Sequence, residues 1–124
     1  PPSSLTWGWL PGEIEVAGAE PPWPAGERRR LEVRLRNTGF ARWLAGERGP
    51  GGVAVAVELL ADGADLLADR PWLPLPRDLA PGEEARVAAE VRRPPGPAEL
   101  RIALHLFGGS GLSKLGGPRW ERWI

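Results

Sequence analysis

Between Arg30 and Arg36 apolar and charged residues alternate without a break: Leu31, Val33 and Leu35 share one parity, and Arg30, Glu32, Arg34 and Arg36 the other. Successive side chains of a strand point to opposite faces, so this order describes a strand with one face buried and one in water. The same period-two reading holds for Glu13 to Val16, for Val53, Val55, Val57 and Leu59, for Ala85, Val87, Ala89 and Val91, and for Ile102, Leu104 and Leu106. Five strands are predicted. Leu5, Trp7 and Trp9 share a parity near the start, as do Trp120, Arg122 and Ile124 at the end, and these add two flanking strands.

Turn chemistry falls between the runs. Pro11-Gly12-Glu13, Ala25-Gly26-Glu27, Ala45-Gly46-Glu47 and Pro81-Gly82-Glu83 repeat a small residue or Pro, then Gly, then Glu, at spacings too unequal for a repeat array. Asp62-Gly63 separates two apolar runs and reads as a hairpin turn, because both residues tolerate positive φ. The best helical candidate, Val55 to Leu67, contains Gly63 and follows a β-branched stretch, and prolines punctuate most of the remainder. The expectation is one all-β domain over residues 1–124, an immunoglobulin-like β-sandwich of about seven antiparallel strands.

Composition narrows the function classes. A chain of 124 residues can bury roughly two-thirds of the surface exposed when unfolded, so it needs no staples. It has no cysteine, hence no disulfide, thiolate metal site or cysteine nucleophile. Sixteen basic and sixteen acidic residues cancel, which removes the long-range attraction that nucleic acid or an anionic membrane would use. No apolar run approaches a membrane span, and no signal peptide is visible. The first residue is Pro1, which points to a trimmed or processed piece. Abundant Arg, Ala, Gly and Pro point to a GC-rich bacterial genome, with a thermophile as the expected source.

Candidate chemistry is thin. His105 is the only histidine, its parity opposes Leu104 and Leu106, and it reads as an exposed strand residue. Without a second His or a Cys, a zinc shell cannot be assembled from preferred ligands. Gly108-Gly109-Ser110-Gly111 ends in Leu112, so it misses the nucleophile-elbow pattern and reads as a loop. Gly46 to Gly52 lacks the Gly-Lys-Ser/Thr of a phosphate cradle, and Asp62, Asp65 and Asp69 lack the calcium-loop spacing. Arg28-Arg29-Arg30 reads as a solvated strand start. Arg70 to Pro76 could pass for a polyproline ligand, but within a β domain it reads as an extended edge segment. No cofactor and no catalytic residue is expected.

Seven tryptophans are the most informative residues, since each indole buries a large apolar area and carries one N–H to satisfy. Trp43 and Trp120 are read as packing. Trp9, Trp72 and Trp123 are the candidates for exposure and for ligand or partner contact, because exposed indoles stack on sugars or anchor protein interfaces.

Asn37-Thr38-Gly39 followed by Trp43, then Leu79-Ala80-Pro81-Gly82-Glu83, then Pro94-Pro95-Gly96, resembles bacterial immunoglobulin-like accessory domains. With Leu115-Gly116-Gly117-Pro118-Arg119-Trp120 near the end, the chain is similar to the four-tryptophan immunoglobulin-like domain, known from a eukaryotic selective-autophagy receptor and common in bacteria. Bacterial cell-adhesion-related modules are a looser match. The resemblance covers most of the chain from Ala25 onward. Trp43 and Trp120 match two of the four marker tryptophans, whereas Val33 and Ile102 stand at the other two. It implies structural roles for Asn37, Gly39, Trp43, Pro81, Gly82 and Trp120. It also implies a non-catalytic module for protein interaction, adhesion or spacing in a secreted or envelope protein, with a cytoplasmic location left open. A carbohydrate-binding module with a Trp platform is the alternative. The partner expected is thus a protein or a glycan, and the exposed edges of a sandwich leave self-association open.

Overall fold

The computed structural model describes residues 3–4, 9–45, 52–61, 64–65, 72–96, 99–108 and 114–124; at 64, 65, 72, 114 and 115 it describes the backbone alone. Eight strands form: β1 (Gly12–Ala17), β2 (Arg28–Asn37), β3 (Val53–Ala61), β4 (Ala64–Asp65), β5 (Trp72–Pro74), β6 (Glu84–Arg92), β7 (Arg101–Gly108) and β8 (Lys114–Trp123). They make two antiparallel sheets, one ordered β1-β2-β6 and the other β4-β3-β7-β8, with β5 also pairing β3. The chain is an all-β sandwich.

Each of the five alternating segments lies inside a strand, and its apolar parity faces the interior. Leu31, Val33 and Leu35 of β2 enter the same core as Val53, Val55, Val57 and Leu59 of β3 and Ile102, Leu104 and Leu106 of β7. β4 returns antiparallel from β3 with Ala61 opposite Ala64, as a hairpin over Asp62-Gly63 requires, although those two residues lie outside the described set. The Pro-rich stretch supplies β5, which pairs with Ala54–Ala56 at the margin of β3. That is the edge position open to a strand with prolines.

Two expectations are corrected, and a third lies mostly outside the described residues. Of the N-terminal flanking strand, Leu5 and Trp7 lie outside the described residues, and Trp9 makes only an isolated parallel bridge to Gly116. The Gly-rich segment before Trp120 is no turn. It lies within β8 as an irregularity opposite Leu106, where His105 pairs Arg119 but Phe107 pairs Lys114. Gly12 likewise starts β1 instead of forming a turn, and the strand requires glycine there, since a Cβ would sit 2.6 Å from the Arg36 carbonyl oxygen and 2.6 Å from the Trp43 ring.

Candidate functional site

The motif residues from Asn37 to Gly82 come together at one end of the sandwich. Asn37 is fully buried, and its Nδ2 donates to the Ala41 carbonyl at 2.8 Å and the Leu79 carbonyl at 2.9 Å. Its Oδ1 accepts from the Gly39 N–H at 3.1 Å, while its own backbone carbonyl accepts from Gly82 N–H at 2.7 Å. Trp43 and Leu79 exchange two backbone hydrogen bonds of 2.9 Å. Gly82, at φ +87°, supplies the left-handed turn after Pro81, and Ala80 N–H donates to Glu83 Oε1 at 2.7 Å. A buried amide with every polar atom used has nothing left for a ligand. Trp120 stands apart, half-buried against the core from β8, with the Arg122 guanidinium 4.8 Å above its ring.

Of the candidate contact residues, Trp9 is 64% exposed and Trp123 63%. The side chain of Trp72 lies outside the described residues. Trp9 adjoins Gly116 near the start of β8, and Trp123 ends that strand opposite Arg101, whose guanidinium lies 6.0 Å from the indole centroid. Gly116 lies in the irregularity near Leu106, five β7 residues from the Arg101 opposite Trp123, so at about 3.3 Å per residue the two tryptophans stand on the order of 15 Å apart along the sheet. They do not adjoin one another. Phe40, which no tryptophan pattern could signal, is 59% exposed beside Gly39 in the turn after β2. Thr38 N–H donates to the Pro11 carbonyl at 3.2 Å, and the site of a Gly39 Cβ lies 3.0 Å from the Pro11 ring. Through these contacts the backbone at Phe40 runs close to Pro11, two residues after Trp9.

The outer face of β1-β2-β6 is mostly charged, with Ala17 and Ala88 beside Glu32 the exceptions. Cross-strand rows set Glu13 beside Arg36 and Glu84, and Glu15 beside Arg34 and Arg86. Arg34 pairs with Glu15 at 2.7 Å and with Glu84 at 3.7 Å. A shallow concavity of about 570 Å³ lies over Glu15, Arg30, Glu32, Arg34 and Arg86. It mixes three arginines with two glutamates and carries no single-sign cluster.

The outer face of the other sheet behaves differently. Every residue of β3 from Val53 to Leu60, and of β7 from Ile102 to Phe107, is buried, so both faces of these strands are covered. His105, expected to be exposed, is 4% exposed, and its Nε2 hydrogen-bonds Glu58 Oε1 across the strands. Its Nδ1 lies 3.3 Å from the Leu106 carbonyl. Ala54, Ala56 and Leu60 on the off-phase of β3, and Ala103 and Phe107 on that of β7, were the available signal. A strand apolar on both parities is buried on both faces, and a His or Glu within it must be partnered.

Trp23, unassigned from sequence, is buried; its Nε1 donates to the Glu27 carbonyl at 2.8 Å. Arg29 stacks 5.1 Å from its ring and donates to the carbonyls of Glu20 at 2.6 Å and Pro22 at 2.5 Å. Within this loop, hydrogen bonds from its own backbone N–H and that of Gly18 hold the Glu20 carboxyl below the usual range.

No protein-family model matches the sequence, and no curated protein does. Among solved structures, Spo0M, a sporulation control protein from Bacillus subtilis, is similar over 92% of this chain and 47% of its own, at 13% identity and a TM-score of 0.56. A β-glucosidase from Listeria innocua covers 95% of this chain at 17% identity and a TM-score of 0.45, over 17% of its own length. The alkylpurine DNA glycosylase AlkC from Pseudomonas fluorescens covers 90% at 16% identity and a TM-score of 0.42, over 28% of its length. This chain thus spans less than half of each. The likeness to Spo0M is one of fold.

Proposed function

We propose that this chain is a non-catalytic immunoglobulin-like module of a bacterial secreted or envelope protein, and that it binds a protein through the end bearing Trp9 and Phe40. The observation that carries the reading is that two exposed large apolar residues, Trp9 and Phe40, sit on chain segments that meet at Pro11, at the end held by the Asn37 network. Aromatic anchors on a rigid base are what interface hot spots are made of. The immunoglobulin-like assignment is supported by strand order. The first two strands join the sixth, and the third joins the last two, as the A-B-E and C-F-G strands do in that architecture when the short β4 and β5 are set aside. The spacing between Trp9 and Trp123, and the guanidinium over Trp123, weigh against a sugar platform.

A photo-cross-linking residue placed at position 9 or 40 tests this in the source cell. The expected outcome is a discrete cross-linked protein from both positions and none from a control at position 32. Equal labelling from all three would overturn the reading. Glycans that shift the tryptophan fluorescence of the isolated chain would favour the carbohydrate alternative.

A further inference from the structure

β6 ends its sheet, and the groups it aims outward can be identified. Asn37 N–H donates to the Glu83 carbonyl at 3.0 Å, and Arg93 N–H to the Glu27 carbonyl at 3.1 Å. Odd-numbered residues therefore hydrogen-bond β2, because hydrogen-bonded pairs alternate along an antiparallel ladder. The backbone groups of Glu84, Arg86, Ala88, Glu90 and Arg92 face away from the sheet. Arg77 Nη2 donating to the Glu84 carbonyl at 2.8 Å marks that direction and occupies its first acceptor. The same five residues carry their side chains on the solvent face, and Glu84, Arg86, Glu90 and Arg92 are exposed.

Their order is self-complementary. Laid antiparallel on a second copy about a two-fold axis through Ala88, Arg86 falls opposite the partner's Glu90, and Glu84 opposite the partner's Arg92. Such a pairing joins outward-facing groups to outward-facing groups. Shifting the sum of paired numbers by two in either direction sets Glu84 against Glu90 or Arg86 against Arg92, which repels. A shift of four centres the axis on Arg86 or on Glu90, opposite itself. On the inner face, Val87 would lie beside the partner's Ala89, both half-buried in this chain. The far edge, β1, has only Glu13 and Glu15 on its solvent face and would repel its own copy.

We infer that β6 is a self-association edge, pairing isologously with the β6 of a second copy so that the two three-stranded sheets become one of six strands. The occupant is set by charge complementarity in one register. The pairing is centred on Arg86, Ala88 and Glu90, with Glu84 and Arg92 at its ends.

Charge reversal tests it on the whole chain. Sedimentation over a concentration series reaching about 1 mM should show a monomer–dimer equilibrium, a range in which weak association is visible. Arg86→Glu or Glu90→Arg alone, each placing like charges opposite one another twice per dimer, should weaken it by roughly tenfold or more. The double variant Arg86→Glu/Glu90→Arg should restore wild-type association, and an equimolar mixture of the single variants should form a heterodimer. Both substitutions are at exposed positions, and unchanged circular dichroism confirms the fold. A wild-type chain monomeric throughout the series, or single variants that associate like wild type, would overturn the inference; so would a double variant that stays monomeric.

Discussion

Asn37 carries more of the architecture than any apolar residue of its size. It joins the end of β2 to the segments holding Trp43 and Leu79, and both of its amide hydrogens go to carbonyls. Asn37→Ala takes their side-chain partner from the Ala41 carbonyl and the Gly39 N–H and leaves the Leu79 carbonyl with Trp43 N–H alone, with an expected loss of about 3 kcal/mol in urea unfolding. Asn37→Asp, the same shape, turns an acceptor toward those carbonyls and should be at least as damaging at neutral pH. Arg29 acts similarly on the loop between β1 and β2. Arg29→Lys keeps the charge but loses the planar fork that reaches Glu20 and Pro22, and should cost about 1–2 kcal/mol by the same measurement. The importance of Asn37 was legible because Asn-x-Gly between a strand and a Trp is a local pattern. That of Trp23 was not, since its partner Arg29 lies beyond a proline turn, and nothing in the intervening residues fixes how that turn folds back.

Strands were legible wherever one face met water. Alternation located the interior of β2, where Leu31, Val33 and Leu35 are buried, but it reports a face and not what covers it. His105 shows the difference: its parity was read correctly and its burial was not. The pair it forms with Glu58 ties the two central strands of the larger sheet together. Glu58→Ala leaves a buried imidazole without its carboxylate, and about 3 kcal/mol of stability should go with it. Replacing both Glu58 and His105 by Leu removes the desolvation cost along with the attraction, and should recover part of that loss. If the double variant falls as far as the sum of Glu58→Leu and His105→Leu measured singly, the pair is not coupled.

For the whole molecule, what matters is which margins are left open. The sandwich has four, and the neighbouring segments treat them differently. Among the described residues Arg77 caps only the start of β6, whereas β4 and β5 cover both ends of the β3 margin. At β8 the chain segment before β1 lies alongside, with Leu10 N–H donating to the Gly116 carbonyl at 2.6 Å. Gly117 allows this approach, as a Cβ there would come within 2.5 Å of the Leu10 carbonyl oxygen.

That strap, together with the like charges of Glu13 and Glu15 on β1, decides whether assembly terminates. A two-fold contact through one edge consumes itself and stops at two copies, but a molecule with a second bare edge can accept another neighbour on its far side and grow without limit. Gly117→Ala, by lifting Leu10 from β8, should therefore turn a saturating association into fibre growth, read as thioflavin fluorescence and scattering that rise with time. Combined with Arg86→Glu, which removes the other contact, the same substitution should yield particles that stop at small size. A backbone contact of a few residues at one margin thus sets the difference between a finite assembly and a polymer.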